Sequence, residues 1–587
     1  MLFGKHVNKF YIKYGIFFLL GIIALIVVDF FQLEIPEIVG TIIDGLEDKS
    51  LTNKDTLKDL MLKLMGVAGV LFCGRFLWRV CIFGNGIRIE SALRNDMFKH
   101  MEKLSQEYYF ENNVGKLMAL YTNDLNLIRQ TFGMGTIMLV DALCLGTLAL
   151  IKMFKLNILL SIISFSSLIA ITVFAYFIGK KITKYTKTNF EVYGVLTNFV
   201  QETFSGIGVV KAFVLEKIQM ARFGKRDIDN MNSTLDITRA STLMNTIINI
   251  ILSLVNLIIL GYGAYVIYSN QNNIEVTFSI GDLTRFIAYF GTLIWPIEAV
   301  GRLIQLRSQG VASLGRVSSV LDRKPIINDD LVEEERFHEI SGKIEYRDLT
   351  FNYPNTEKKV LQNISFTIND GEFVGIIGAT GSGKTTLVDL LLRIYNIDSS
   401  QLFIDDIDIM KLPLKTVRQS IAYVPQDNFL FSDTIMNNIA FSSKNVDRES
   451  ATKYSEMADI KEDVLIFKDG FDTVLGERGV TVSGGQKQRI SISRALYKDA
   501  QILILDDSLS AVDTETERNI ITNLRNLRKG KTTIIIAHRI TTLKDLDKIV
   551  VVEDGCVTGV GTHEELIKTN KFYSQEVELQ KLEEEEN

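Results

Sequence analysis

The sequence predicts an all-α membrane domain of six helices followed by a cytosolic α/β domain built around a parallel sheet. Three observations carry that expectation. The first part of the 587-residue chain is rich in phenylalanine and long apolar runs, whereas the part after Asp322 has the mixed, charge-bearing texture of a soluble domain. Six of the runs are long enough to cross a ~30 Å hydrocarbon core at about 20 residues each. Beyond them, strand-like and helix-like stretches alternate, beginning with the polar and apolar alternation of Lys343 to Tyr353.

The expected spans are 14–33, 60–83, 133–154, 156–178, 246–268 and 278–300. Lys5, Lys9 and Lys13 precede the apolar Tyr14 to Val28, as in a signal peptide, but no small-residue cleavage site follows and further spans do. The segment therefore reads as the first transmembrane helix. The two long connections, after the second and fourth spans, read as polar helices. They gather Arg88, Arg94, Lys99, Lys103 and Lys116 in one and Lys180, Lys181, Lys184, Lys187, Lys211, Lys217 and Arg222 in the other. The positive-inside tendency places both connections and both termini in the cytoplasm.

Charges within or near the spans are Asp29, Arg75, Arg79, Asp141, Asp282, Arg285 and Glu298. Each costs ~2.5–3.5 kcal/mol at a helix centre on insertion scales, so they are expected to face a cavity or one another. Asp141 is the candidate cavity-lining acid, which suits a cationic substrate. Phe286, Tyr289, Phe290 and Trp295 could line a drug cavity, but an interfacial belt or packing between helices is the reading favoured for such a group.

The expected domains are 1–321 in the membrane, a linker at 322–340 with Pro325 and the acidic run Glu333 to Glu335, a soluble domain at 341–575, and an acidic tail at 576–587. A net charge of −6 is small for this length and argues against a nucleic-acid binder. The four cysteines, Cys73, Cys81, Cys144 and Cys556, form no CxxC pair, so neither a disulfide framework nor a zinc site is implied.

Gly378-Ala379-Thr380-Gly381-Ser382-Gly383-Lys384-Thr385 fits G-x-x-x-x-G-K-[ST] between the buried-strand run Phe373 to Ile377 and an expected helix. In such a loop backbone N–H groups wrap phosphates, Lys384 reaches the β- and γ-phosphates, and the Thr385 hydroxyl ligates Mg²⁺. ATP and Mg²⁺ are thus the expected cofactors of a P-loop nucleotide-binding domain. The run Ile502 to Leu505 ends in Asp506, which a strand would place at the carboxyl edge where open α/β sheets bind ligands.

Thr481-Val482-Ser483-Gly484-Gly485-Gln486 brings a resemblance to the ATP-binding cassette transporters, whose signature reads LSGGQ. Val482 departs from the leading leucine; Ser483, Gly484, Gly485 and Gln486 are intact. The resemblance implies that these four contact the γ-phosphate held by a second cassette. It further implies that Tyr353 stacks on adenine, that Gly378, Thr380, Gly381, Ser382, Gly383, Lys384, Thr385 and Thr386 hold the nucleotide, and that Thr385, Gln426 and Asp506 act through Mg²⁺. Gln426 also meets the attacking water, and His538 is the switch histidine at the γ-phosphate. Gly476-Glu477-Arg478-Gly479 is similar to the exporter loop that meets transmembrane helices, and Ser510-Ala511-Val512-Asp513 to the loop that crosses between cassettes. In the membrane half, Gly115 to Ile128 and Glu202 to Phe213 resemble the two coupling-helix regions of exporters.

One residue departs from this pattern. The family normally has glutamate after the Mg²⁺-associated aspartate, as the base that polarises water, and here the residue is Asp507. Aspartate is one methylene shorter, and a misplacement of about 1 Å can cost on the order of 100-fold. A weak base beside an intact signature resembles one subunit of the heterodimeric bacterial exporters, whose partner chain carries the glutamate. The expectation is a half-transporter in the bacterial cell membrane that moves hydrophobic or amphipathic small molecules outward. A homodimeric exporter or lipid flippase, and a non-transporting ATP-gated regulator, stay open. No peptidase domain is expected ahead of the first span.

Overall fold

Among the residues described by the computed structural model, 4–48, 54–270, 278–332, 339–476, 479 and 482–586, six helices are long and apolar enough to cross a membrane. They are Gly15–Glu47, Asp55–Met101, Val114–Leu156, Ile158–Ser205, Glu216–Ser269 and Ile280–Leu321. Each expected span overlaps one of these helices, and each helix is longer than the about 20 residues a bilayer needs. At 1.5 Å per residue, a helix of about 50 residues is roughly 75 Å long, so the basic connections between spans are continuations of the same helices.

The helices used below are α1 (Gly15–Gln32), α2 (Glu34–Glu47), α3 (Lys54–Met101), α4 (Gln106–Glu111), α5 (Leu125–Leu156), α6 (Ile158–Ser205), α7 (Ile207–Ala212), α8 (Glu216–Asn270) and α9 (Ile280–Leu321). Local chemistry sets several of their ends. Asn157 leaves α5 in an extended conformation, and its side chain accepts the Leu160 N–H at 3.0 Å to cap α6. Ser279 and Asp282 form a capping box that starts α9.

The chain divides into two units, Met1–Met101 with Gly115–Asp322, and Glu102–Val114 with Arg323–Asn587. The expected first coupling region falls on one side of this division. Gly115 to Ile128 stays in the membrane unit, where Leu120–Asp124 forms a π-helical turn leading into α5. The segment grouped with the cassette is α4, whose Glu107 accepts from the Asn355 amide at 3.3 Å and whose Glu111 lies 3.7 Å from Arg323. Six residues with no phosphate or metal motif gave the sequence nothing to mark them by.

In the membrane unit Phe286, Tyr289 and Phe290 are at most 1 % exposed and pack with Leu33, Leu145 and Val255, so they are bundle core. Around them the charges pair. Arg285 donates to Asp282 at 2.6 Å, Asp44 at 3.0 Å and Thr41 at 3.1 Å, while Asp44 also accepts the Gly281 N–H at 2.8 Å. Tyr289 donates to Glu37 at 2.8 Å, and Lys152 to Glu34 at 3.1 Å. The start of α9 is thereby tied to α2.

The cassette holds an antiparallel sheet of order β2-β1-β4-β5 and a six-stranded sheet of order β10-β9-β3-β8-β7-β6. The strands are β1 (Ile344–Asn352), β2 (Lys359–Ile368), β3 (Phe373–Ile377), β4 (Leu402–Ile404), β5 (Ile407–Asp408), β6 (Ile421–Val424), β7 (Ile502–Asp506), β8 (Thr532–Ile536), β9 (Lys548–Glu553) and β10 (Cys556–Gly561). From β9 to β6 the pairing is parallel, and only β10 runs antiparallel. Every residue of β3, β7 and β8 is buried, as expected for a parallel sheet covered on both faces. The helices above it are α10 (Lys384–Leu391), α11 (Gly484–Tyr497), α12 (Thr514–Leu527) and α13 (Lys571–Glu586).

Arg528 locks the far edge of this sheet. It is 2 % exposed and donates to the carbonyls of Ala500, Gln501 and Thr532 and to the Thr533 hydroxyl, each at 3.0 Å. Arg528→Leu leaves these buried acceptors unpaired, a loss of about 3 kcal/mol at hydrogen bonds to a charged donor. The expected outcome is a lower unfolding midpoint for the cassette, read by scanning calorimetry of the solubilised chain.

Candidate functional site

The buried strand β3 ends at Gly378, and the chain must turn tightly there to start α10. A Cβ at Gly378 would collide with the Val552 carbonyl, and Gly383 caps α10 with φ +103°, a left-handed backbone that glycine adopts without strain. Lys384, the first residue of α10, is 7 % exposed, and its Nζ donates to the carbonyls of Gly378 at 2.8 Å and Ala379 at 2.9 Å. Burial holds its pKa below the usual lysine value, opposed by the charges of Asp506 and Asp507. The Ser382 hydroxyl is buried with no hydrogen-bond partner in the structure. An anion that accepts from Lys384 at a helix N-terminus fits this loop.

Asp506 closes β7 opposite the loop. It is 1 % exposed, and burial raises its pKa, against hydrogen bonds from the Thr385 and Tyr423 side chains and the charge of Lys384. A buried carboxylate, the Thr385 hydroxyl and the nearby Gln426 amide are hard oxygen donors, the set that suits Mg²⁺. The same end of the sheet affects Asp389 on α10, whose carboxyl is pushed up to about 6 by burial and by Asp506.

These residues enclose a cavity of about 310 Å³. Thr380, Gly381 and Gly383 line it from the loop, Lys384, Thr385 and Thr386 from the start of α10, Asp506 from β7 and Asp507 just after it, and Tyr353, Gln426 and His538 from three further segments. Val360 and Ile536 complete it as apolar walls that the sequence did not single out. Tyr353 shares a hydrogen bond with Thr386 at 2.9 Å, and its ring meets Phe351 and Tyr395 edge-on at centroid distances of 5.3 and 5.2 Å. Gly378 and Ser382 stand behind the loop rather than on the lining.

Asp507 has φ +45°, and its N–H donates to the Ile536 carbonyl at 2.9 Å. Aspartate is one of the few non-glycine residues that tolerate this region. The main chain here turns sharply off β7, which puts the carboxyl into the cavity beside Asp506.

Ser483, Gly484, Gly485 and Gln486 do not line this cavity. They open α11 with a capping box in which Ser483 Oγ accepts the Gln486 N–H at 3.2 Å and Gln486 Oε1 accepts the Ser483 N–H at 3.0 Å. The Ala511 carbonyl lies 2.9 Å from where a side chain on Gly485 would begin, so the 510–513 loop packs directly on the signature. Gln488 reinforces the contact, accepting the Ala511 N–H at 3.0 Å. Glu477, Arg478 and Thr481 lie outside the described residues.

Two functional neighbours escaped the sequence. Arg539, next to His538, donates to the Val512 carbonyl at 3.2 Å and to the buried Glu517 at 2.8 Å, which joins the loop after β8 to the 510–513 loop. Gln580 on α13 donates to the His538 carbonyl at 2.8 Å and accepts the Ile540 N–H at 2.7 Å. Both hold backbone on either side of the histidine, and Arg539 could have been marked only by its adjacency to it.

Two family models match the chain. The ABC transporter transmembrane region covers residues 18–297 and the ABC transporter model covers 361–510. The probable multidrug resistance ABC transporter ATP-binding/permease protein YheI of Bacillus subtilis is 34 % identical over 98 % of this chain and 97 % of its own length. The chain belongs to the ABC transporter family. The multidrug resistance-like ATP-binding protein MdlA of Escherichia coli is also 34 % identical to this transporter, over 96 % of this chain and 94 % of its own. An ATP-dependent lipid A-core flippase of Syntrophus aciditrophicus is 34 % identical over 84 % and 81 %. A solved bacterial Atm1-family ABC exporter with ATP bound matches with a TM-score of 0.74 at 23 % identity over 98 % of both chains, which makes the fold that of an ABC exporter. The chain is therefore that of an ATPase transporter, with six candidate spans among the described residues followed by a nucleotide-binding domain.

Gln580→Leu removes both bonds to the switch loop. It is expected to leave ATP affinity unchanged and to cut turnover of the assembled transporter on the order of tenfold, the scale of a small misplacement of a reacting group. Steady-state kinetics check this, and in a His538→Ala background the second change should add nothing.

Proposed function

We propose that this chain is one half of a heterodimeric exporter in the bacterial cell membrane, in which its own nucleotide site turns over slowly and its signature serves the partner. The observation that carries the reading is Asp507. It lines the nucleotide cavity at the position of the base, one methylene short, while the Ser483–Gln486 cap is intact on a separate surface of the same cassette.

In the proposed mechanism Mg²⁺, held by Thr385, Asp506 and Gln426, would neutralise charge on the phosphates. Lys384 exchanges its two loop carbonyls for phosphate oxygens, and Tyr353 offers a ring to adenine. His538 and Gln426 position the γ-phosphate and the water. Asp507 reaches that water poorly, so nucleotide is retained. On the second chain's site the Ser483 hydroxyl and the start of α11 supply donors to a γ-phosphate, an arrangement that a helix N-terminus favours.

A second chain also suits the membrane unit. Around α7 an apolar groove of about 490 Å³ is walled by Phe199, Phe204, Ile207, Val210 and Phe223, and Phe204, Phe213 and Val214 are all more than two-thirds exposed. Contiguous exposed apolar surface of this kind marks an interaction site. The cargo read from the multidrug-type relatives is a hydrophobic or amphipathic compound. The flippase relative keeps a homodimeric lipid exporter as the second reading.

ATP turnover of the chain alone in lipid separates the two. Negligible turnover with intact ATP binding, rising when a glutamate-bearing partner is added, is the expected result; turnover of order 1 s⁻¹ or faster by the chain alone would instead favour the homodimer. Asp507→Glu is expected to speed hydrolysis at this chain's own site on the order of 100-fold, measured as release of trapped nucleotide.

A further inference from the structure

The 510–513 loop is gripped by two side chains from opposite directions. From α11, Gln488 accepts the Ala511 N–H at 3.0 Å and lies 3.3 Å from the Ser510 hydroxyl, to which its amide donates. From the loop after β8, Arg539 donates to the carbonyls of Val512 at 3.2 Å and Ser510 at 3.4 Å and to Glu517 at 2.8 Å. Glu517 stands in the first turn of α12 and is 3 % exposed; its other oxygen accepts the Thr542 hydroxyl. A carboxylate that deep is tolerated only when paired and hydrogen-bonded. Arg539 therefore serves two ends at once, neutralising Glu517 and holding two main-chain carbonyls of the loop.

This brace faces the signature and not the nucleotide cavity. Neither Arg539 nor Glu517 lines that cavity. The carbonyls that Arg539 holds flank the Ala511 carbonyl, the group that lies 2.9 Å from where a side chain on Gly485 would begin. A shift of the loop is thus passed straight to the first turn of α11. The main chain around His538 has its own support, since Gln580 holds the His538 carbonyl and the Ile540 N–H.

We propose that Arg539 and Glu517 are positioning residues for the signature that this chain offers to a second cassette. By fixing the 510–513 loop they set where the Ser483 hydroxyl and the start of α11 meet the γ-phosphate held there. The pair governs turnover at the site this chain completes, and leaves alone the site built on its own glycine loop. The inference rests on the reading that the signature serves a second chain, and it holds whether that chain is a different subunit or another copy. Arginine suits the task because its planar fork reaches several acceptors in fixed directions, which a lysine ammonium does not.

The first test is amide hydrogen exchange on the full chain with ATP in lipid nanodiscs. Arg539→Met should speed exchange about tenfold over 484–488 and 510–513, with exchange over the glycine loop and ATP affinity unchanged. Glu517→Gln should do the same and the double variant no more, because the two residues act as a unit. Arg539→Lys keeps the Glu517 pair and should fall between. Unaltered exchange over 484–488, or an equal rise throughout the cassette, overturns the proposal.

The second test is ATP turnover by pairs of two full chains carrying different tags, in which one copy bears Asp507→Glu. Arg539→Met in the opposite copy should lower kcat about tenfold at unchanged KM, whereas Arg539→Met in the same copy should leave the rate unaltered. Equal slowing in both arrangements, or slowing in neither, overturns the proposal. Ser483→Ala in the opposite copy separates the two levels. If it does not slow turnover, the reading that the signature serves a second chain fails; if it does and Arg539→Met does not, the brace fails alone. Should two copies not pair, the exchange over 484–488 decides.

Discussion

A parallel sheet covered on both faces leaves charge only one place to go, the ends of its strands, and the cassette is organised by that constraint. β3, β7 and β8 are buried along their whole length. The loop of Lys384 follows β3, the acids Asp506 and Asp507 finish β7, and His538 comes just after β8. Each is carried to the same edge by a strand that is buried along its whole length. Desolvation there strains both signs of charge, lowering the pKa of Lys384 and raising that of Asp506. A site that holds its charges at such a cost is completed by a ligand carrying the opposite ones.

The parts of this site that were legible in the sequence are those whose chemistry is local. The glycine loop needs consecutive residues, and the aspartates follow an apolar run, so a linear reading finds them. What escaped was held together across distance. Gln580 reaches the switch loop over 42 positions, and nothing in its neighbourhood distinguishes it from any amide on a polar helix. The left-handed turn at Asp507 is equally silent, because an aspartate there looks the same in any backbone conformation. The grouping of α4 with the cassette is silent for a related reason, because it rests on two carboxylates that any surface helix could carry.

In the membrane unit, hydropathy located all six helices but could not sort their charges, since each charge costs about the same until its partner is known. The structure sorts them by partner. Asp282 and Arg285 satisfy each other and α2, Glu298 meets Arg302 along one helix face, and the aromatic residues Phe286, Tyr289 and Phe290 fill the core instead of bordering a cavity. Asp29 and Asp141 stand apart because among the described residues neither has an ion-pair partner, and Asp141 accepts only from an indole.

The tie between α2 and the start of α9 has a mechanical side. Arg285, Asp44 and the Gly281 N–H bind the two helices at one end through a charged donor, a carboxylate and a main-chain group, and side chains at Gly40 or Gly281 would collide with the clamp. That end of α9 behaves as a rivet. Eleven residues along, Pro296 interrupts the helix's own hydrogen-bond ladder, the commonest cause of a sharp bend in an α-helix. A lever riveted at one end and notched in the middle bends most readily at the notch, so with the clamp closed a bend of α9 falls at Pro296, one residue from the indole that donates to Asp141.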